Sequence, residues 1–334
     1  MSTLLIILII LAICFAFLNG VHDSSNLVAT MISSRAIQPQ VALIIAAVAE
    51  FSGPFIFGVA VANTIGHDIV SSEHLNMLIL IAALSSAIIW NLLTWSLGIP
   101  SSSSHALIGG LIGAVAIGAG FQEIQLAGVI KVVIFLFVSP LVGFVVGILV
   151  ANIVYLLSWK ASPRINGAFK KLQIITSLGL AMGSGANDAQ KTMGVITLGL
   201  VIAGMQKSFN VPFWVIFSCA LAIALGVALS GYRLIRTLGA KFYKIRPIHG
   251  FSSQFASAIV ILVASLLGGP VSATQVVSTS IMGVGAAERM SKVRWGVAGD
   301  IVFAWLFTIP FTALLAAGVY WVIHSGIPAI IHLF

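Results

Sequence analysis

Charge is what this chain has least of. Only 7% of its 334 residues are Asp, Glu, Lys or Arg, while 60% are hydrophobic. A soluble domain carries about a quarter charged residues, so a water-exposed globule is excluded. Cysteine is scarce as well. Cys14 and Cys219 each lie in an apolar run, nothing in the sequence pairs them, and they are expected to be inert packing residues without redox meaning. No low-complexity tract, coiled-coil repeat or domain-sized polar segment interrupts the apolar runs. Met1 to Phe17 has no basic start and no small-residue cleavage site, so it is expected to be a retained first membrane helix rather than a signal peptide.

The charge that is present is unevenly placed. The formal net charge is +8, and twelve of the sixteen Lys and Arg fall in the stretches 158–171, 233–246 and 289–294. Basic clusters between apolar runs are the signature of cytoplasmic loops, and they argue against a nucleic-acid partner. Arg35 is expected on the same side. The segment from Gly66 to His74 has no Lys or Arg and is expected outside.

A spanning helix needs about 20 apolar residues. Runs of that order cover 3–34, 40–65, 75–98, 99–120, 126–157, 172–205, 211–230, 250–268, 270–286 and 298–324. The sequence therefore predicts an all-α polytopic membrane protein with about ten passes. Its organisation is expected to be a first transmembrane repeat at 1–157, a basic cytoplasmic linker at 158–171, and a second repeat of inverted topology at 172–334. The runs 3–34 and 172–205 are expected to break at Asn19-Gly20 and near Gly183–Gly185. The Ser-rich run 99–120 reads as a full pass; the alternative is a re-entrant hairpin at each Pro motif with one extra pass per half.

Polar residues inside these runs come in pairs. Gly20-Val21-His22-Asp23 is answered by Gly185-Ala186-Asn187-Asp188, and Pro100-Ser101-Ser102-Ser103-Ser104-His105 by Pro270-Val271-Ser272-Ala273-Thr274-Gln275. The Asp pair is 165 residues apart and the Pro pair 170, so order and spacing are both kept. An ionised Asp at mid-membrane costs roughly 2.5–3.5 kcal/mol on insertion scales. Two of them at matching places point to a central site built by both halves of a carrier. Asp23 and Asp188, with the neutral oxygens of Asn26 and Asn187, suit a hard cation such as Na⁺, or a proton carried by the acid.

The Pro motifs read as helix starts, because Pro is tolerated at the first turn. First-turn amides point outward with partial positive charge. Ser102, Ser103 and Ser104 in one half, and Ser272 and Thr274 in the other, add short donors suited to a tetrahedral oxyanion. The halves differ at Lys191, which stands where the first half has Asn26. Lys191 is expected to pair with Asp188 one turn away, as a built-in counter-ion replacing a bound cation or as a ligand of the anion. His22 and His105 could support proton coupling or be hydrogen-bonded polar residues. Glu50 reads as a coupling acid or a structural cap, and Lys131 as a snorkelling side chain. The spacings Gly109/Gly113, Gly143/Gly147 and Gly179/Gly183 read as close helix packing that would also allow a homodimer.

These duplicated blocks resemble the paired signatures of the inorganic phosphate transporter family (Pit-type carriers), over the whole chain and in order. Gln190-Lys191 resembles its bacterial branch. The resemblance implies an inverted-repeat symporter in the plasma membrane that moves inorganic phosphate on a Na⁺ or H⁺ gradient, with no enzymatic activity and no cofactor. It implies cation ligands at Asp23, Asn26, Asn187 and Asp188, and phosphate ligands at Ser102–Ser104, Ser272 and Thr274. Alternatives weighed on the residues are a sulfate or other oxyanion carrier, an intramembrane serine hydrolase using a serine of 101–104 with His105, and a phosphate-binding sensor.

Overall fold

The computed structural model describes residues 2–70, 75–97, 101–162, 164–230, 246–293 and 295–331, with side chains 292, 297, 300, 301 and 327–331 excepted. Pro100, Glu73, His74, the stretch 233–245 and Arg294, to which expectations are attached, lie outside the described residues.

Among the described residues the chain is helical, with one isolated bridge between Val70 and Ile124. Helix α1 is Thr3–Ser33 and α2 is Pro39–Phe57; α3, Ala60–Asn63, runs into a wide turn at Thr64–Asp68. Helices α4, Met77–Leu97, and α5, Ser103–Gly118, precede the long α6, Leu126–Leu157. Helix α7 is Ile165–Ile202, α8 Phe213–Leu229, α9 Pro247–Leu266, α10 Ala273–Glu288 and α11 Trp295–Ile331. Six helices are long and apolar enough to cross a membrane by length and composition. Their outward residues, among them Val48, Ile56, Leu149 and Leu314, are large, apolar and exposed, while Asp23, Asp188, Lys191 and His105 are buried. An apolar exterior around a polar centre is the distribution that lipid imposes.

Local contacts fix which helix ends lie together. Ser34, just past α1, hydrogen-bonds to Gln173 of α7 at 2.7 Å, and Gln173 donates to the Pro247 carbonyl at the start of α9. Arg246 meets Glu288 at 2.7 Å, so α9 begins where α10 ends. Tyr155, late in α6, packs against His249. At the opposite end, Asn76 hydrogen-bonds to Tyr320 of α11, and Gly118 at the end of α5 lies against Ile79 and Tyr320. Thus α4 and α5 form a hairpin that enters and leaves at one end of the bundle. Helices α9 and α10 form another from the opposite end.

This arrangement corrects two expectations. The Ser-rich run 99–120 does not form a separate span-length helix: its helix has 16 residues, about 24 Å at 1.5 Å per residue, and it turns back along α4. That hairpin is built from α4 and α5 together. Nor do the runs at Asn19-Gly20 and Gly183–Gly185 break, since α1 and α7 continue through both. The glycines serve close approach instead. A Cβ on Gly20 would lie 2.2 Å from the Ile223 carbonyl oxygen of α8, and one on Gly185 would lie 2.3 Å from that of Glu50 in α2. Of the basic stretch 158–171, Ile165–Lys171 forms the first turns of α7.

The returning helix of each hairpin packs on the long last helix of the other half. Gly109 and Gly113 of α5 seat against Ile309, Thr312 and Ala313 of α11; Gly143 and Gly147 of α6 seat against Val276, Thr279 and Ser280 of α10. Those two pairs pack as expected; of the third, Gly183 lies against Leu262, whereas a Cβ on Gly179 would meet nothing within 4 Å, so that position is not a close helix contact. Lys131 does not only snorkel, since its Nζ lies 3.1 Å from both Asp68 and Thr64. Cys219 is buried as expected, whereas Cys14 is exposed on the outer face of α1.

A side chain at Gly20 must displace backbone rather than a flexible neighbour. Gly20→Val is therefore expected to destabilise the protein by about 1–3 kcal/mol, read as a lower unfolding temperature in detergent. Gly179→Ala, where nothing lies within 4 Å, is the control and should leave it unchanged.

Candidate functional site

The two hairpin tips meet at the centre of the bundle. Ser104 at the start of α5 donates to the Val271 carbonyl at 2.9 Å, and Gln275 of α10 lies 3.3 Å from the His105 ring. Helices α1 and α7 flank this meeting point and bring their buried acids to it.

Around Asp23 the partners are neutral. Thr274 donates to Asp23 Oδ1 at 2.7 Å, the Asn26 amide donates to the same oxygen at 3.1 Å, and that amide also reaches Thr274 at 2.9 Å. Around Asp188 the same pattern recurs with a charge in it. Lys191 Nζ lies 2.5 Å from Asp188 Oδ1, 2.5 Å from Ser104 Oγ and 2.8 Å from the Val271 carbonyl. Asn26 and Lys191 are each three residues past their Asp, and Thr274 and Ser104 hold matching places after their Pro. The two clusters are counterparts. Five of the six side chains, Asp23, Asn26, Asp188, Lys191 and Ser104, are at 5% exposure or less, and Thr274 is half-buried.

An ammonium has three donors and no acceptor, and all three of Lys191 are engaged by protein oxygens. The counter-ion reading of Lys191 fits this geometry. The reading as a direct anion ligand would require it to leave a carboxylate in a buried site, where removing one partner costs about 3–5 kcal/mol.

The other expected site residues surround these clusters with contacts of their own. Asn187 donates to Ser265 at 2.9 Å and to the Gly269 carbonyl at 3.0 Å, and its oxygen accepts from the Val271 amide at 3.0 Å. Its amide pins the second hairpin tip and is not turned toward Asp188. Ser102 caps α5, accepting from the His105 amide at 3.2 Å with the His105 ring at 2.8 Å. Ser103 donates to Asn19. Ser272 caps α10 without a side-chain bond to it. The hydroxyls expected to face an anion are thus mostly held by protein groups, because buried polar atoms must find partners. His22 is half-buried on α1 and His105 is fully buried between the tips, with its ring edge-on to Phe137. Glu50 is 1% exposed and neither carboxyl oxygen has a hydrogen-bond partner, so it caps no helix.

Two polar partners escaped the sequence reading. Ser184 donates to Asp188 Oδ2 at 3.0 Å, and Asn19 accepts from Ser103. Each stands four residues before its half's Asp, a helical spacing that the sequence does carry.

What remains free at the tips is backbone. The first amides of a helix have no intrahelical acceptor; here those are Ser103 and Ser104 in α5, and Ala273 and Thr274 in α10. Two helix N-termini that meet beside hydroxyls form an anion-binding arrangement.

Membrane-length helices, a lipid-facing exterior and a buried polar centre between two hairpin tips define a multi-pass membrane transport protein. The sequence matches the phosphate transporter family over residues 19–166 and 156–316, and the chain belongs to that family. It is 44% identical over 319 residues to a probable low-affinity inorganic phosphate transporter of Rhizobium meliloti, covering 95% of this chain and 96% of that one. A Bacillus subtilis protein of the same description is 42% identical over 331 residues, covering 97% and 99%. A solved structure described as the sodium-dependent phosphate transporter superposes with a TM-score of 0.90 at 27% identity, covering 97% of this chain and 100% of that one. The chain is a transporter and not an enzyme, and the Ser102–His105 contact is a helix cap rather than a hydrolase pair.

Removing the Lys191 charge should leave Asp188 buried and unpaired. Lys191→Met is expected to cost about 3–5 kcal/mol, measured as denaturant stability in detergent at low cation concentration. Adding Asp188→Asn should recover most of that loss, since no buried charge then lacks a partner.

Proposed function

We propose that this protein is a symporter that moves inorganic phosphate across the plasma membrane on a Na⁺ gradient by alternating access. The observation that carries the reading is the pair of acid–hydroxyl clusters at the point where two opposed hairpin tips meet. Phosphate binds across the tips on the first-turn amides of Ser103, Ser104, Ala273 and Thr274, with the hydroxyls of Ser102–Ser104, Ser272 and Thr274 exchanging partners toward it. The coupling cation binds at Asp23 with Asn26 and Thr274. It offsets the repulsion between that carboxylate and the incoming anion. The sodium dependence named for the superposing structure supports the choice of ion.

The architecture in this reading is two inverted repeats, 1–157 and the chain from α7 onward. Each contributes three passes and one re-entrant hairpin. Helix α1 and the hairpin α4–α5 have counterparts in α7 and α9–α10 that run from the opposite end, which supports the inversion. Arg35, Lys160, Arg164, Lys170, Lys171, Arg246 and Arg289 all gather at the end where α1 finishes and α7 begins. By the positive-inside rule that end is cytoplasmic in this reading, with the stretch 158–162, Arg246 and Arg289 on the inside. The Asp188–Lys191 pair carries no net charge, and a cation at Asp23 cancels the other carboxylate, so phosphate enters a site that no longer repels it, and the halves then move past one another.

Uptake of labelled phosphate into proteoliposomes tests this. A Na⁺ gradient should drive uptake, and a pH gradient alone should not. Asp23→Asn should reduce Na⁺-driven uptake by about 10- to 100-fold, the factor that one charge-assisted contact of roughly 1.5–3 kcal/mol represents. Wild-type rates in that variant, or equal competition by sulfate, would refute the assignment.

A further inference from the structure

The two counterpart acid clusters differ in one member, a neutral amide at Asn26 in the first and an ammonium at Lys191 in the second. We infer that Lys191 is a tethered cation filling the second seat, so that this carrier binds a single Na⁺, at Asp23, and none at Asp188. The inference rests on the Na⁺-coupled reading above and specifies its stoichiometry.

The argument is one of matched atoms. Each seat has a carboxylate from the middle of a long helix and a hydroxyl from the opposite hairpin: Asp23 with Thr274 at 2.7 Å, Asp188 with Ser104 bridged through Lys191. In the first seat the third member is Asn26, a neutral amide. An amide turned over presents its oxygen to the same atoms that its nitrogen now touches, so Asp23, Thr274 and Asn26 can together surround a bare cation. In the second seat the third member carries its own positive charge. Its ammonium sits against Asp188, Ser104 and the Val271 carbonyl at 2.5, 2.5 and 2.8 Å, oxygens that a hard cation would need. A Na⁺ cannot share those oxygens with the ammonium, because like charges at that distance in a buried site repel strongly. Nor does the ammonium leave, being attached to α7 and 1% exposed.

The consequence is mechanical as well as electrical. Lys191 ties α7 to both hairpin tips, through Ser104 of the first and Val271 of the second, whether or not ions are bound. Asn26 ties α1 only to Thr274 and only through neutral contacts. Ion binding then regulates the first seat, while the second stays closed throughout the cycle.

The test is the count of ²²Na⁺ bound per chain by the purified full-length protein in detergent, with inorganic phosphate present. Wild type is expected to bind about one Na⁺, and Lys191→Asn about two. The Na⁺ dependence of phosphate uptake in that variant should rise from first to second order, and its melting temperature should increase with Na⁺ more steeply than that of wild type. The reciprocal Asn26→Lys should bind none, which keeps the inference testable if Lys191→Asn does not fold. Two Na⁺ bound by wild type, as a second seat at Glu50 would give, overturns the inference alone. So does a folded Lys191→Asn that binds one, or an Asn26→Lys that still binds one. No Na⁺ bound by wild type removes the Na⁺-coupled reading and the inference with it.

Discussion

A lysine ammonium held by a carboxylate, a hydroxyl and a backbone carbonyl deep in a lipid-soluble protein sets the terms for the rest of this structure. The three oxygens come from α7 and from both hairpin tips. A charge buried so far from water survives only if paired and fully hydrogen-bonded. The tips must therefore meet beside α7, and the helices behind them must bring them there. Close glycine contacts between α1 and α8, and between α2 and α7, let the long helices approach near enough to do so.

The same demand for satisfied polar groups explains how hydroxyls crowd the centre without disorder. Each tip begins a short helix whose first amides lack internal partners. The side chains around them are used in pairs: Ser102 with His105, Ser103 with Asn19, Thr274 with Asp23. Such hydroxyls can pass from a protein acceptor to a ligand oxygen with little net change in bond count. Binding that trades like for like is weak enough to be reversible, which a carrier needs more than it needs affinity.

Much of this was legible in the sequence, and the reasons for the gaps are physical. The Asp188–Lys191 pair follows from helical spacing alone, and the duplicated blocks announce two counterpart clusters. The contact between Thr274 and Asp23, 251 residues apart, could be anticipated only as convergence of motifs. Hairpins were harder to read. In lipid, an outward face is as apolar as a packed one, so hydropathy marks where a run is and not where it turns. Gly20 and Gly185 have the same neighbours whether they break a helix or admit another helix's backbone. What decides is Ile223 or Glu50 arriving from elsewhere in the chain, and no local pattern records that. The partners of Asn187 were hidden for a related reason: its bonds to Ser265, Gly269 and Val271 join residues about eighty positions apart, which no local pattern records.

The crossed seating of the hairpins bears on how the protein is made. Helix α5 carries Gly109 and Gly113 shaped for α11, which is synthesised about two hundred residues later. Until that helix is made, the face of α5 that carries these glycines lacks its partners Ile309, Thr312 and Ala313. Neither half can reach its final packing alone, so assembly is completed only at the end of translation, and a chain truncated before α11 leaves both halves unfinished.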